Sequence, residues 1–301
     1  MGLRVNLRLM RNGASALLFL AVALEAQAPN DLNECLDALA RSAANFAASA
    51  PGLMAEETLD QRGRRGFIEI LKGKKDEVKD LDFTLPEDFR SHHVISNYGL
   101  AEIGDARVLH EIRTIVTMDG QTLSGADEVR HALTMGPQSA DDETKRRLLE
   151  NLEHNQLEGA VTDFGQVLLL FAKRHQSDYR FSVAGRQQRI GDEPVVVIRY
   201  RQVSGAQGLT FFKERTEEHE PAAGQIWFRL RDLVPIRITF NTEEFVSKKF
   251  RVRTEATVDY PSSPVGLVPA SVTHKQFLNS ALMVENDLRY GEFHRADAML
   301  P

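Results

Sequence analysis

The chain has 301 residues, 42% hydrophobic and 27% charged, with a formal net charge of −6. That balance is ordinary for a globular protein, and the absence of any Lys/Arg-dense run argues against a nucleic-acid partner. A single cysteine excludes an intramolecular disulfide and a Cys-based metal site.

Residues 1–28 carry the parts of a secretory signal in the right order. Arg4, Arg8 and Arg11 form a basic start, "ASALLFLAVAL" (Ala14–Leu24) is an apolar run, and Ala26–Ala28 ("AQA") supplies small residues for cleavage. Pro29 is a poor first mature residue, so cleavage after Ala26 is the other candidate. The run is too short to span a bilayer comfortably; the alternatives are an uncleaved anchor or an ordinary buried helix. Residues 1–28 hold three basic residues and one acid, so without them the net charge moves from −6 to −8. No second apolar stretch approaches transmembrane length. The expectation is an exported chain, periplasmic or extracellular and soluble after cleavage, with residues 29–301 as one domain.

A helix capped by Asn30 or Asp31 and ended by Pro51 places Leu32, Cys35, Leu36, Leu39, Ala43 and Phe46 on one stripe. Glu34 stands where a lipoprotein signal needs a small residue, so Cys35 reads as a core residue rather than a lipidated one. "PGLMAEETLDQRGR" reads as a weakly patterned strand, and the charge-rich Gly63–Asp82 as an exposed, mobile loop. His93–Ile103 and Arg107–Met118 are strands joined at Gly104-Asp105, and Asp119-Gly120 signals a tight turn. Two helices follow, opened by Ser124-x-x-Asp127 and Ser139-x-x-Asp142 and closed by Gly136-Pro137 and Gly159. Leu148, Leu149, Leu152 and Leu157 form the apolar face of the second. Asp163–Phe171 ("DFGQVLLLF") fits a short buried helix or a buried strand and is read as helix, giving a helical insertion over 124–171.

From Tyr179 the chain is strand after strand: Tyr179–Gln187, Val195–Val203, Gln225–Leu230, Ile236–Phe245, Lys249–Tyr260, Val268–Leu278 and Leu282–His294. In the last, alternation breaks at Gly291, where a bulge would return Phe293 to the apolar side. Period-two alternation puts Ile226, Phe228, Leu230, Ile236, Ile238, Phe240, Phe250, Val252, Val258 and Tyr260 on one apolar face. Trp227 falls on the opposite face with Arg229 and Arg231. The fold class is therefore α+β: a single curved, mostly antiparallel sheet with helices on one face.

The hairpin "GQIWFRLRDLVPIRITF", in which Gly-x-Ile-Trp runs into Pro-x-Arg-Ile, and the next strand "KFRVRTEATVDY" resemble the periplasmic carriers of outer-membrane lipoproteins, the LolA-like family. The resemblance implies an unclosed barrel with a helical lid and acyl chains bound between them. It makes the ten apolar-face residues a ligand-binding surface. The function it implies is an exported, non-catalytic binder or carrier of a lipid or an acylated protein, without cofactor or metal. The alternative is an envelope interaction or sensor domain whose apolar face is solid core; a metal-dependent hydrolase stands third.

Other constellations give weaker signals. His110-Glu111 begins like a zinc-protease helix, but Thr114 stands where the second ligand belongs, so the pair reads as a surface strand pair. His92 and His93 are adjacent on a strand and face opposite ways, which is awkward for one shared ion. Glu218-His219-Glu220 reads as a solvated loop. No Gly-x-Ser-x-Gly, Walker or dinucleotide fingerprint occurs.

Overall fold

The computed structural model describes residues 32–64, 88–103, 108–123, 163–205, 211–213, 216–218, 221–245 and 250–295. Helix α1 (Leu32–Ser49) turns Cys35, Ala38, Leu39, Ala43 and Phe46 inward, as the three- and four-residue spacing requires. The strands are β1 (Leu53–Arg64), β2 (Phe89–Ile103), β3 (Val108–Met118), β4 (Gln121–Thr122), β5 (Tyr179–Ile190), β6 (Glu193–Gln202), β7 (Phe211–Lys213) and β8 (Thr216–Glu218). After them come β9 (Ala223–Arg229), β10 (Pro235–Phe245), β11 (Arg251–Asp259), β12 (Ser262–Ser263), β13 (Gly266–Leu267), β14 (Ser271–Leu278), β15 (Ala281–Tyr290) and β16 (His294–Arg295). Two short 3-10 helices, Phe164–Phe171 and Lys173–Asp178, lead into β5.

Twelve strands form one antiparallel sheet in the order β4-β3-β2-β1-β15-β14-β11-β10-β9-β6-β5, with β16 also on β1. Among the described residues the path has two ends and does not close. Most neighbours are hairpin partners, and the decisive non-local joint is β1 against β15, from Glu57↔Tyr290 to Gly63↔Val284. Strands β11 and β14 alternate buried and half-buried residues without a break. Ile226, Phe228, Ile238, Phe240, Val258 and Tyr260 share one core cluster with Leu39 and Phe46 of α1 and Phe164, Val167 and Leu168 of the first 3-10 helix. That helix lies against β10, β11 and β14, and α1 lies against the helix. We call this side of the sheet the packed face and the other the outer face.

Several expectations shift. Residues 65–87, 104–107 and 124–162 lie outside the described residues, and with them most of the charged loop, the Gly104-Asp105 turn and the two mid-chain helices; Gly63 and Arg64, where the strand and loop readings overlap, are paired in β1. Asp163–Phe171 is helical, though as a 3-10 helix. Asp119 and Gly120, at φ 51 and 78, make the tight turn between β3 and β4. Strand β15 ends at Tyr290 instead of bulging on, yet Phe293 is still buried, against Tyr98 and Tyr290.

Three of the ten apolar-face residues are only half-buried. A register shift between Pro235 and Arg237 buries Pro235 and makes Ile236 the extra, half-buried residue, because a bulge reverses the parity that follows it. Leu230 lies beyond the end of β9 in the connecting turn and is half-buried. Phe250 precedes β11, and with Val252 it belongs to a second small cluster with Leu278, Met283 and Val284.

Gly224 shows how closely the strands approach. Tyr200 of β6 passes over it to donate its hydroxyl proton to the Thr239 carbonyl at 2.8 Å, and a Cβ at 224 would collide with that same carbonyl. Gly224→Ala is expected to cost on the order of 1–3 kcal/mol or more, because the obstacle is backbone rather than a movable side chain. The urea midpoint of the variant checks this.

Candidate functional site

Polar side chains occupy the packed face in two arrays, both at positions whose parity is otherwise apolar. The first is ionic. Glu57 of β1 holds Arg113 of β3 with both carboxylate oxygens, each 2.8 Å from Nε. Arg113 Nη2 donates to Glu111 Oε2 at 2.6 Å and reaches the Tyr290 hydroxyl of β15 at 3.5 Å. Its guanidinium also lies over the Tyr98 ring of β2, 5.0 Å from the centroid. Glu57, Glu111 and Arg113 are all buried.

This array fastens the 3-10 helix to the sheet. Glu111 Oε1 accepts the Gln166 amide at 3.1 Å, and the Glu111 amide donates to Asp163 Oδ1 at 3.1 Å. Asp163 Oδ2 lies 3.2 Å from His110 Nδ1. Gly165 fits between Glu111, Tyr98 and Pro269, where no Cβ could. Burial pushes the Glu111 carboxyl up to about 8, with the Arg113 guanidinium offsetting only part of the rise. Burial likewise raises Glu57 against the pull of Arg113. Two carboxyls against one guanidinium would leave one negative charge in the interior, and a proton on the Glu111 carboxyl removes it.

The second array is neutral. Gln61 Nε2 donates to Asn286 Oδ1 at 2.8 Å, and Asn286 Nδ2 lies 3.1 Å from His274 Nδ1. With Asn286 donating, His274 Nδ1 accepts and its proton sits on Nε2, which has no partner among the described residues. Burial lowers His274 to about 3, so the ring is neutral, and it packs 4.8 Å from the Phe164 ring. One row further along lie Thr242, Thr254 and Gln276, where Thr242 Oγ1 and Gln276 Oε1 are also buried without a partner among the described residues. This belt separates the main core from the small cluster of Val252, Leu278, Met283 and Val284.

The sequence candidates resolve differently. His110-Glu111, read as a surface pair, is buried, because Asp163 and the 3-10 helix close over it. His92 Nδ1 lies 2.8 Å from Asp119 and His93 Nδ1 lies 2.7 Å from Asp60, so the two imidazoles serve separate carboxylates. His219 and Glu220 lie outside the described residues. Among the described residues no His, Cys, Asp and Glu side chains group to hold a metal. The ionic array and the neutral belt were missed, although a signal existed: Glu57 and Gln61 interrupt the phase of Leu53, Ala55 and Leu59, and His274 and Gln276 that of Val272 and Leu278.

Arg113→Met would strand two buried carboxyls, and a loss of about 3–5 kcal/mol is expected by chemical denaturation. The pH dependence has a fixed sign. Because the folded value of Glu111 lies above its ordinary 4.5, its stabilising contribution is complete below that value and is lost as pH rises towards about 8. The urea midpoint should therefore fall from about pH 5 to about pH 8. Glu111→Gln, which cannot titrate, should flatten that slope whatever its own midpoint.

No family model matches this chain, and no curated protein matches it. Among solved structures it is similar to the crystal structure of a DUF1329 family protein from Desulfovibrio piger, with 7% identity and a TM-score of 0.38 over 89% of this chain and 94% of that one. Likeness at that level carries no functional argument, and the mainly antiparallel fold rests on this chain's own strand pairings.

Proposed function

We propose that the chain is an exported, non-catalytic binder or carrier of an amphipathic ligand, either a lipid or an acylated protein, with its helices covering the packed face of the unclosed sheet. One observation carries this reading. The His274 Nε2 donor and the Gln276 and Thr242 oxygens are buried in the middle of an apolar face with no hydrogen-bond partner among the described residues. Leaving such groups unpaired is costly. A ligand with a polar group beside an acyl chain would satisfy them while burying its apolar part against the flanking clusters. The order of basic, apolar and small residues over 1–28 supports export. The resemblance of the Gly224–Phe240 hairpin to lipoprotein carriers points the same way, and no helix among the described residues is long and apolar enough to cross a membrane.

A second reading, an envelope interaction or sensor domain with a solid core, has its own support. Ile226, Phe228, Ile238, Phe240, Val258 and Tyr260 are fully buried in the same cluster as α1 and the first 3-10 helix.

Thr242→Val separates the two. It removes an unpartnered hydroxyl without changing shape, so the ligand-free protein should hold or gain up to about 1 kcal/mol in either case. Under the carrier reading it should also weaken binding of a fluorescent fatty-acyl probe several-fold. Native mass spectrometry of protein purified gently from its host should show co-purifying lipid. A bare polypeptide mass, with no probe binding by the wild type, would leave the solid-core reading.

A further inference from the structure

The outer face pairs its cations with carboxylates almost strand by strand. Arg237 meets Asp259 at 2.6 Å, Arg251 meets Glu243 at 3.0 Å, Arg253 meets Glu255 at 3.1 Å and Lys275 meets Glu285 at 2.6 Å. The corner made by β5, β6 and β9 breaks that pattern. Arg180 stands directly opposite Arg201 in the β5–β6 ladder, and Arg199 lies two residues from Arg201 on the same face. All three are exposed, and none has an ion pair among the described residues. Like charges placed opposite one another weaken a strand pair. The repulsion is local, because the chain as a whole is acidic, at −6.

These arginines line a groove of about 880 Å³ over the outer face of β6, β9 and β10. Trp227, Gln225 and Asn241 line it with them. Among the described residues the one carboxylate in the lining, Glu255, lies 3.1 Å from Arg253 Nε. Among the described residues the groove thus offers three guanidiniums without an ion pair, two amides and an indole.

We propose that this groove is a binding site for a phosphate-bearing ligand. A lone carboxylate would occupy one guanidinium fork and leave the other two repelling each other. A phosphate or diphosphate carries about two or more charges in one small unit and accepts from several forks at once. Trp227, half-buried beside the arginines, gives the adjoining part of the ligand a flat apolar surface. The site lies on the opposite side of the sheet from the belt of His274 and Gln276, so it does not rest on the carrier reading. Two sources supply the same chemistry: a soluble phosphate compound and an anionic lipid headgroup.

Trp227 is the only tryptophan in the chain, so its emission reports on this groove alone. The full chain is titrated with sodium pyrophosphate, with vesicles of phosphatidylglycerol, and with vesicles of phosphatidylcholine, against sodium chloride of equal ionic strength. The expected result is a saturable change in Trp227 emission with pyrophosphate or with phosphatidylglycerol, and none with the two controls. Response to pyrophosphate assigns a soluble ligand; response to the anionic vesicles alone assigns a headgroup. Arg199→Ala with Arg201→Ala should weaken the response about tenfold or more. Arg289→Ala, which removes an exposed cation elsewhere on the sheet, should leave it unchanged. No saturable change with either phosphate source, or an equal change in the double variant, overturns the proposal. The three arginines are solvent-exposed, and circular dichroism of the double variant confirms that it still folds.

Discussion

A single buried guanidinium sets the arrangement of half the sheet. Arg113 touches Glu57 of β1, Glu111 two residues away on its own strand, the Tyr98 ring of β2 and the Tyr290 hydroxyl of β15. Through Glu111 it also fixes the amide of Gln166 in the 3-10 helix. An ion taken out of water is tolerable only if its partners are all in place. The register of β1 against both β2 and β15 is therefore tied to the position of the helix, and a one-residue slip would expel the charges from their partners.

That anchoring explains the asymmetry of the packed face. Where the 3-10 helix and α1 lie, side chains such as Phe228, Ile238 and Phe240 have no exposure at all. Past Phe164, which opens the helix beside His274, the face continues as the neutral belt and then as the small cluster around Val252. The same sheet thus carries a closed core, a row of imperfectly satisfied polar groups and a second apolar patch. A purely structural core gains nothing from unpaired donors and acceptors; the belt gathers three of them on β10 and β14, the two neighbours of β11, whereas those of the larger core, such as the Tyr98 and Tyr179 hydroxyls, lie far apart on β2 and β5.

The outer face follows different rules because water is available to it. Its ion pairs are half-buried to exposed and individually weak, yet their regularity makes the corner of Arg180, Arg199 and Arg201, which have no ion pair among the described residues, stand out. Trp227 joins that corner, because period two places it opposite Ile226 and Phe228. The next residue along the same face of the strand, Arg229, is taken up by Asp232 in the turn at 2.8 Å.

The long strands from Tyr179 onward, the Asp119-Gly120 turn, the stripe of α1 and the side of the sheet on which Trp227 lies were legible in the sequence, but the short β7, β8, β12, β13 and β16 were not. Each legible feature depends on periodicity or on a local turn, which residues a few positions apart determine by themselves. The polar interruptions were legible too, as Glu57, Gln61, His274 and Gln276 in apolar phase, but not their meaning. Glu57 and Arg113 are 56 residues apart, and Gln61 and Asn286 are 225 apart. Only the pairing of β1 with β2 and β15 brings them together. The bulge at Pro235 that displaces Ile236, and the facing of Arg180 by Arg201, likewise came from strand register. Register is settled by the sum of contacts across the whole sheet, and no local pattern encodes it.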